Sequence, residues 1–372
     1  MRRLLQCLVV LLTPTLLSAQ EEVDFSAKTW IVQGEAKVAD HMGQESLLMR
    51  SGSAILKDSD LENFTIEYDV AVKGPRSFVG VALRVSAGGG YEDFYIRPHQ
   101  TGRFDAIQYT PVYNGVSGWQ LYPEGNAALD IPRDQWLHVK LVISGSRLEA
   151  YFDGASEPAI VVDELVRGES RGLVALKSNF PAEGHPTDFF PTAFANVVIE
   201  SDDQPASYTE GTPPPEESGF ITSWDLSPAF AAPPRALEDI PADWIASDGW
   251  ETVQTDPEGR VNIAKYRALP QGGGTVLARV MIHSASEQFK KLDFGASDKV
   301  SIFLNGRVLF TGDNTYRSRS LRYLGVMTID NDALFLPLKQ GENELIFAVS
   351  EAFGGWGVTA RLEDLAGVRL EY

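Results

Sequence analysis

The sequence predicts an all-β protein: two antiparallel β-sandwich (jelly-roll) domains joined by a Pro-rich linker. Three observations carry this. Short segments alternating between apolar and polar residues recur along most of the chain, and Gly- and Asn-bearing turns separate them. No segment carries a convincing helical period, and many short strands without helices form sandwiches. In the middle, ESDDQPASYTEGTPPPEESG (200–219) is acidic, Pro-rich and without apolar periodicity, the composition of an extended linker. At 372 residues, two domains are also the natural division. The expected organisation is a signal peptide over 1–19, a sandwich over 21–201, a linker over 202–219 and a second sandwich over 220–372.

The first element is the leader. MRRLLQCLVVLLTPTLLSAQ sets Arg2 and Arg3 before an apolar run from Leu4 to Leu17 and closes on Ser18 and Ala19. That order reads as a secretory signal, because the run is short and broken by Pro14, unlike a membrane span. The expected destination is the periplasm or the exterior. Cys7, the only cysteine, falls within the leader, so no disulfide and no Cys-ligated metal is expected in the mature chain. No later apolar run reaches the ~18 residues of a membrane span. The net charge of −19, about −21 without Arg2 and Arg3, repels nucleic acid and anionic lipid. Neutral ligands such as sugars, or cationic partners, are favoured by elimination.

The strands follow in order. FTIEYDVAV (64–72) alternates Phe64, Ile66, Tyr68, Val70 and Val72 against polar or small residues. VGVALRV (79–85), FYIR (94–97), WLHVKLVIS (136–144), RLEAYFDG (147–154) and FANVVIE (194–200) complete the first set. The hairpin around Ser144-Gly145-Ser146 is its clearest local unit. Beyond the linker, GGTVLARVMIHSA (273–285), KVSIFLNGRVLFTG (299–312), ALFLPLK (333–339), NELIFAVSE (343–351) and GVTARLE (357–363) are strand-like. Asn305-Gly306 is a strong two-residue hairpin signal. The two halves share no repeat and are read as different modules.

With these residues in place, the first half resembles the concanavalin A-like (laminin-G-like) jelly roll. The resemblance rests on FTIEYDVAV, VGVALRV, the hairpin WLHVKLVISGSRLEAYFDG with Trp136 at its start and Phe152-Asp153-Gly154 at its tip, and FANVVIE. It implies a fold that hosts sugar-binding modules, glucanases and 3-keto-glycoside hydrolases. The second half resembles galactose-binding-like jelly rolls through VSIFLNGRVLF (300–310) and LKQGENELIFAVSEAFGGWGVTARL (338–362), which implies an appended sugar-binding domain.

Catalytic chemistry finds little support. Glycoside cleavage needs two carboxyl groups at a set separation. In glucanases of the first fold these come from a Glu-x-Asp-x-x-Glu strand. Glu67 and Asp69 begin that pattern, but Val72 stands at the third acid's position, so a polar strand face is expected. There is no Gly-x-Ser-x-Gly elbow. His41, His99, His138, His185 and His283 are scattered without zinc spacing. No catalytic residue, metal ligand or cofactor is therefore assigned. A structural Ca²⁺ stays open at GDN (312–314) and DNDA (330–333), where Asp and Asn equally serve turn bonding.

Sugar recognition fits what remains. A pyranose offers an apolar face for an aromatic ring and hydroxyls for paired donors and acceptors. FYIRPHQTGRFDAIQYTPVYNGVSGWQLY (94–122) concentrates both kinds of group: Tyr95, Arg97, His99, Arg103, Asp105, Gln108, Tyr109, Asn114 and Trp119 are the candidate ligand-binding residues. Strand alternation would put Tyr95, Arg97 and His99 on one face, and Asp105, Ile107 and Tyr109 on one face of the next strand. Core or interface aromatics on a solvated sheet are the alternative. In the second half, Tyr316, Arg317 and Arg319 form a local basic and aromatic cluster, and glycines around Trp356 would leave its indole prominent. Packing of Trp356 against the first module is the alternative there. The expected function is a secreted, non-catalytic carbohydrate-binding or adhesion-type protein taking a carbohydrate or cell-surface polysaccharide, with a protein partner also open. The alternative is a divergent glycan-cleaving enzyme, 3-keto-glycoside hydrolase-like, in which Glu92, His99 and Asp105 would have to share one cleft.

Overall fold

A computed structural model describes residues 22–73, 76–181, 183–201, 219–232 and 235–371. The expected signal peptide and residues 202–218 of the linker lie outside the described residues. The strands pair antiparallel throughout the described residues, in β-sandwich units, and helical structure is confined to single turns such as Ala242–Ile245.

In the first unit one curled sheet runs from Ile160–Val162 through Arg147–Phe152, Trp136–Ser144, Phe64–Val72, Thr192–Ser201, Gln44–Leu56, Leu173–Asn179, Phe78–Val85 and Tyr91–Ile96 to Ile107–Tyr113. A single long strand makes the curl. Gln44–Leu56 pairs through Leu47, Leu48 and Met49 with Thr192–Ser201, and through Gly52 to Ile55 with Leu173–Asn179. It therefore belongs to both layers. Its hairpin partner Trp30–His41 bends beside it where Gly34 lies opposite Gly52. Both have positive φ, and a Cβ on Gly34 would fall 2.2 Å from the Ser51 carbonyl oxygen. Only glycine lets two backbones approach so closely. The sequence reading missed this hairpin because most of WIVQGEAKVADH is exposed, so no alternation marks it.

The strands expected from alternation are observed, Phe64–Val72 and Trp136–Ser144 with the expected bounds. Their inward residues, Phe64, Ile66, Tyr68, Leu137, Val139 and Leu141, fill the core with Val79, Val81, Leu83 and Phe94 from the opposite layer. Each such side chain contributes about 1.5–3 kcal/mol by leaving water.

The second unit has two sheets. The larger runs Glu251–Gln254, Ser223–Leu226, Gly274–Ser284, Gly341–Glu351, Lys299–Leu304, Arg307–Asp313; the smaller runs Arg260–Asn262, Gly357–Leu362, Gln288–Ser297, Asp332–Leu338. Between them lie Trp224, Phe294, Phe347 and Trp356. The larger sheet is buried on its other face too, where Phe303, Ile346 and Ala348 meet Leu237, Trp244 and Trp250. This explains why ELIFAV reads as a continuous apolar run rather than an alternating one. Asn305 and Gly306 both take positive φ between paired Leu304 and Arg307, the hairpin turn their types require.

A tongue joins the units. After the strand Ile107–Tyr113, the chain crosses to the second unit and buries Gln120 and Leu121 completely. The Gln120 N–H donates to the Gly354 carbonyl (2.9 Å), the Met327 N–H donates to the Gln120 carbonyl (2.8 Å), and Gln120 Nε2 donates to the Leu324 carbonyl (2.9 Å). Glycines make the receiving groove. A Cβ on Gly354 would fall 1.9 Å from Gln120 Oε1, and one on Gly357 2.7 Å from Leu121.

Candidate functional site

The residues that the tongue brings across stand over a face of the first sheet with small residues at its centre. In the register, Lys177 lies opposite Gly80 and Gly80 opposite Tyr95, which in turn lies opposite Gln108; in the next row Ala82 lies opposite Asp93. Alternation sends Val79, Val81 and Phe94 into the core and these residues to the other side. Gly80 therefore forms a low floor between polar walls. Gly80 also has no room for a side chain, since a Cβ would fall 2.0 Å from the Phe94 carbonyl oxygen.

Over that floor is a cleft of about 450 Å³, lined by Phe78, Tyr91, Asp93, Tyr95, Lys177 and Asn179 from the first sheet and by Gly115 to Ser117 and Trp119 from the tongue. Leu269 and Glu351 to Gly354 close it from the second unit. Lys177 Nζ donates to Asp93 Oδ2 (2.7 Å) and to the Tyr91 hydroxyl (3.0 Å), and the Tyr95 hydroxyl donates to Gln108 Oε1 (2.9 Å). Asp93 Oδ1 is buried without a partner, and burial raises the Asp93 carboxyl despite the Lys177 ammonium beside it. At the rim, Trp119 meets Tyr316 and Phe353, each at 6.0 Å. Phe353 is 56% exposed. Such rings, with polar groups fixed among them, are the usual materials of a small-ligand site.

Phe78 anchors the other end. Its ring meets Tyr95 (5.9 Å), His99 (5.4 Å) and the guanidinium of Arg97 (5.7 Å). Tyr95, Arg97 and His99 thus gather round one ring, although the strand stops at Ile96 and His99 stands on a 3₁₀ turn, Pro98–Gln100. Burial, with the charges of Arg97 and Arg76, pushes the His99 imidazole down to about 4. Arg97 is bound to the Asp105 carboxylate, and Gln108 Nε2 donates to Asn126 Oδ1 (2.7 Å).

The remaining candidates lie elsewhere. Tyr109 is in the core: its hydroxyl donates to Glu92 Oε2 (2.8 Å) and accepts from the Val166 N–H (2.8 Å). Tyr109 faces the opposite side of the sheet from Gln108 because side chains alternate. Asn114 takes the first position of a turn with φ of +50° and donates to the Ala264 carbonyl (2.8 Å), a junction contact. Arg103 is exposed on a turn outside the cleft lining. Arg317 and Arg319 are exposed as well; Arg319 pairs with Asp332 (2.8 Å), while Arg317 lies over the Tyr316 ring. Trp356 is fully buried, with Nε1 donating to the Val349 carbonyl (3.1 Å), the reverse of a prominent indole. Its glycine neighbours serve Gln120 and Leu121 instead.

The acids sort similarly. Glu67 and Asp69 face His138 across the strands at 3.3 and 2.8 Å, the polar face expected. Glu92 points into the core, bound to Tyr109 and the Arg167 N–H, and burial raises it to about 7. It does not join His99 and Asp105. Of the loop oxygens weighed for Ca²⁺, Asp313 is taken by Lys299 and the Thr315 N–H, Asn331 by the Thr328 N–H and Asp332 by Arg319, while Asn314 Oδ1 is buried without a partner among the described residues. Among the described residues no three His, Cys, Asp or Glu side chains gather as a metal-binding group.

The sequence reading passed over Phe78, Tyr91, Asp93, Lys177, Glu351 and Phe353. Phe353, beside the glycine cluster, was the most findable. Also new is the carboxyl pair of Asp298 and Glu351, of which Glu351 lines the cleft. Burial raises Asp298 to about 6, and burial with the nearby Asp298 charge raises Glu351 well above the usual carboxylate range.

No family model and no curated protein matches the chain. Among solved structures it is similar to the carbohydrate-binding module CBM66 from Bacillus subtilis (17% identity, 46% of this chain and 96% of that one, TM-score 0.34). It is also similar to a Bacillus subtilis protein of unknown function with a galectin-like fold (9% identity, 47% and 90%, TM-score 0.34). A third is domain 4 of AbnA, an extracellular GH43 arabinanase from Geobacillus stearothermophilus, in complex with arabinotriose (13% identity, 45% and 75%, TM-score 0.29). At these identities and scores the likenesses carry no argument about function.

Proposed function

We propose that this chain is a secreted or periplasmic, non-catalytic carbohydrate-binding protein whose ligand lies in the cleft between the two units. One observation carries the reading: the junction sets Trp119, Tyr95, Phe78 and Phe353 around an Asp93–Lys177 pair whose Asp93 Oδ1 has no partner among the described residues. Aromatic faces suit the C–H side of a sugar ring, and pre-paired donors and acceptors suit its hydroxyls. The low floor at Gly80 leaves room for a ring between them. Asp93 and Lys177 offset each other's charge, and burial raises the Glu351 carboxyl well above the usual carboxylate range, which suits a neutral ligand in a chain of net charge −19.

Affinity electrophoresis in gels containing neutral polysaccharides tests this. The native chain is expected to be retarded by at least one. Trp119→Ala and Phe353→Ala are each expected to bind about tenfold more weakly, the size of one lost stacking contact of about 1–1.5 kcal/mol. Unretarded migration on every glycan would refute the proposal.

A second reading, glycan cleavage, is favoured by one feature: Glu351 lines the cleft with a raised carboxyl, the state a general acid requires. Reducing sugar released by the native chain and not by Glu351→Gln would make this the better reading.

A further inference from the structure

Asp298 and Glu351 stand at one turn of the second unit. Asp298 lies between strands Gln288–Ser297 and Lys299–Leu304, and Glu351 ends Gly341–Glu351. The Asp298 N–H donates to the Ser350 carbonyl (3.0 Å), which fixes the two strands side by side. Asp298 Oδ2 accepts from the Ala352 and Phe353 N–H groups, each at 3.2 Å, and Glu351 Oε1 accepts from the Gly355 N–H at 3.2 Å. Both carboxyls are thus held by the same short segment.

Their other oxygens are orphaned. Among the described residues Asp298 Oδ1 and Glu351 Oε2 are buried without a hydrogen-bond partner, and the residues are 1% and 0% exposed. Among the described residues neither carboxyl has a basic side chain at ion-pair distance, because Lys299 is turned to Asp313 (3.2 Å). Asn314 adds a third orphan. Its N–H donates to the Asp298 carbonyl (2.7 Å) and its Nδ2 donates to the Ala296 and Gly325 carbonyls, while its Oδ1 is buried without a partner.

Two neighbouring carboxylates taken out of water without a counter-charge are unfavourable unless a proton or a cation compensates them. Hard anionic oxygens select a hard divalent cation. We propose that Asp298 and Glu351 bind a Ca²⁺ ion at the second unit's end of the cleft. Ca²⁺ suits the pair better than Mg²⁺, because Mg²⁺ gives up its waters reluctantly and these oxygens are buried. Glu351 is also one of the residues that line the cleft. The expected Kd is about 10⁻⁴–10⁻³ M, the range of extracellular modules. A bound ion also holds Glu351 ionised, which removes it as a proton donor.

The metal alone tests this, independently of any glycan. The chain is stripped with EDTA, dialysed, and melted in CaCl₂, MgCl₂ or neither. At CaCl₂ about 100-fold above Kd, a rise in Tm of about 5 °C is expected. Asp298→Asn combined with Glu351→Gln is expected to abolish the rise. By removing the repulsion, it should melt no lower than the native chain in EDTA. Calorimetric titration of the native chain, expected to show a single Ca²⁺ site, keeps the test independent of that variant's folding. Absence of both heat and Tm rise overturns the proposal. So does a rise that survives in the double variant, or a larger rise with MgCl₂ than with CaCl₂.

Discussion

His99 shows what a single residue contributes here. Its ring packs edge-on against Phe78, and burial with Arg97 and Arg76 nearby holds its pKa at about 4 against an ordinary 6.5. A histidine depressed on folding binds fewer protons in the folded state between those values. Stability is therefore fully present above about 6.5 and is lost as pH falls toward about 4. His99→Gln is expected to flatten the fall of the urea midpoint across that window, and an unchanged slope would remove His99 from the account. Period-2 alternation put Tyr95, Arg97 and His99 on one face, but the strand stops at Ile96, and the 3₁₀ turn Pro98–Gln100 carries His99 to the Phe78 ring. Phe78 itself was not legible, because it arrives from the neighbouring strand. Nor was the Asp93–Lys177 pair, whose members stand 84 positions apart.

Among elements, the tongue and the glycine segment that receives it have most to lose from one substitution. Gly354 has a φ of +111°, and an added Cβ would meet Gln120 Oε1 at 1.9 Å, where Gln120 is fully buried and tied by hydrogen bonds. Backbone strain and overpacking together predict that Gly354→Ala destabilises the chain by about 2–4 kcal/mol, read by urea denaturation. A cost below about 0.5 kcal/mol, the size of an ordinary surface change, would show that the groove is loose. The polar run from Phe94 to Tyr122 divides accordingly: Tyr95, Ser117 and Trp119 line the cleft, whereas Asn114 and Gln120 to Tyr122 bind the second unit. In sequence both parts look alike, because ligand and interface call on the same aromatic and amide side chains.

On the scale of the whole molecule, the junction couples two separate cores. Leu121, Tyr122 and Met327 form a small cluster of their own between them, and Arg260 ties it with bonds to the Leu121 carbonyl (2.9 Å) and Glu124 (2.6 Å). Scanning calorimetry should therefore give one transition for the native chain. Leu121→Asp, which buries a charge in that cluster, should split it into two; a single unshifted transition would mean that the junction contributes little. The all-β class, the alternating strands and the Asn305-Gly306 turn were determined by the sequence alone, because side-chain period and turn chemistry act between near neighbours. The bent hairpin at Gly34 and Gly52, the doubly covered strand Gly341–Glu351 and the cleft were decided only by tertiary structure. Each depends on what a distant segment lays against a residue. The glycines beside Trp356 illustrate the difference: read locally they free an indole, and in the folded chain they make room for Gln120 and Leu121.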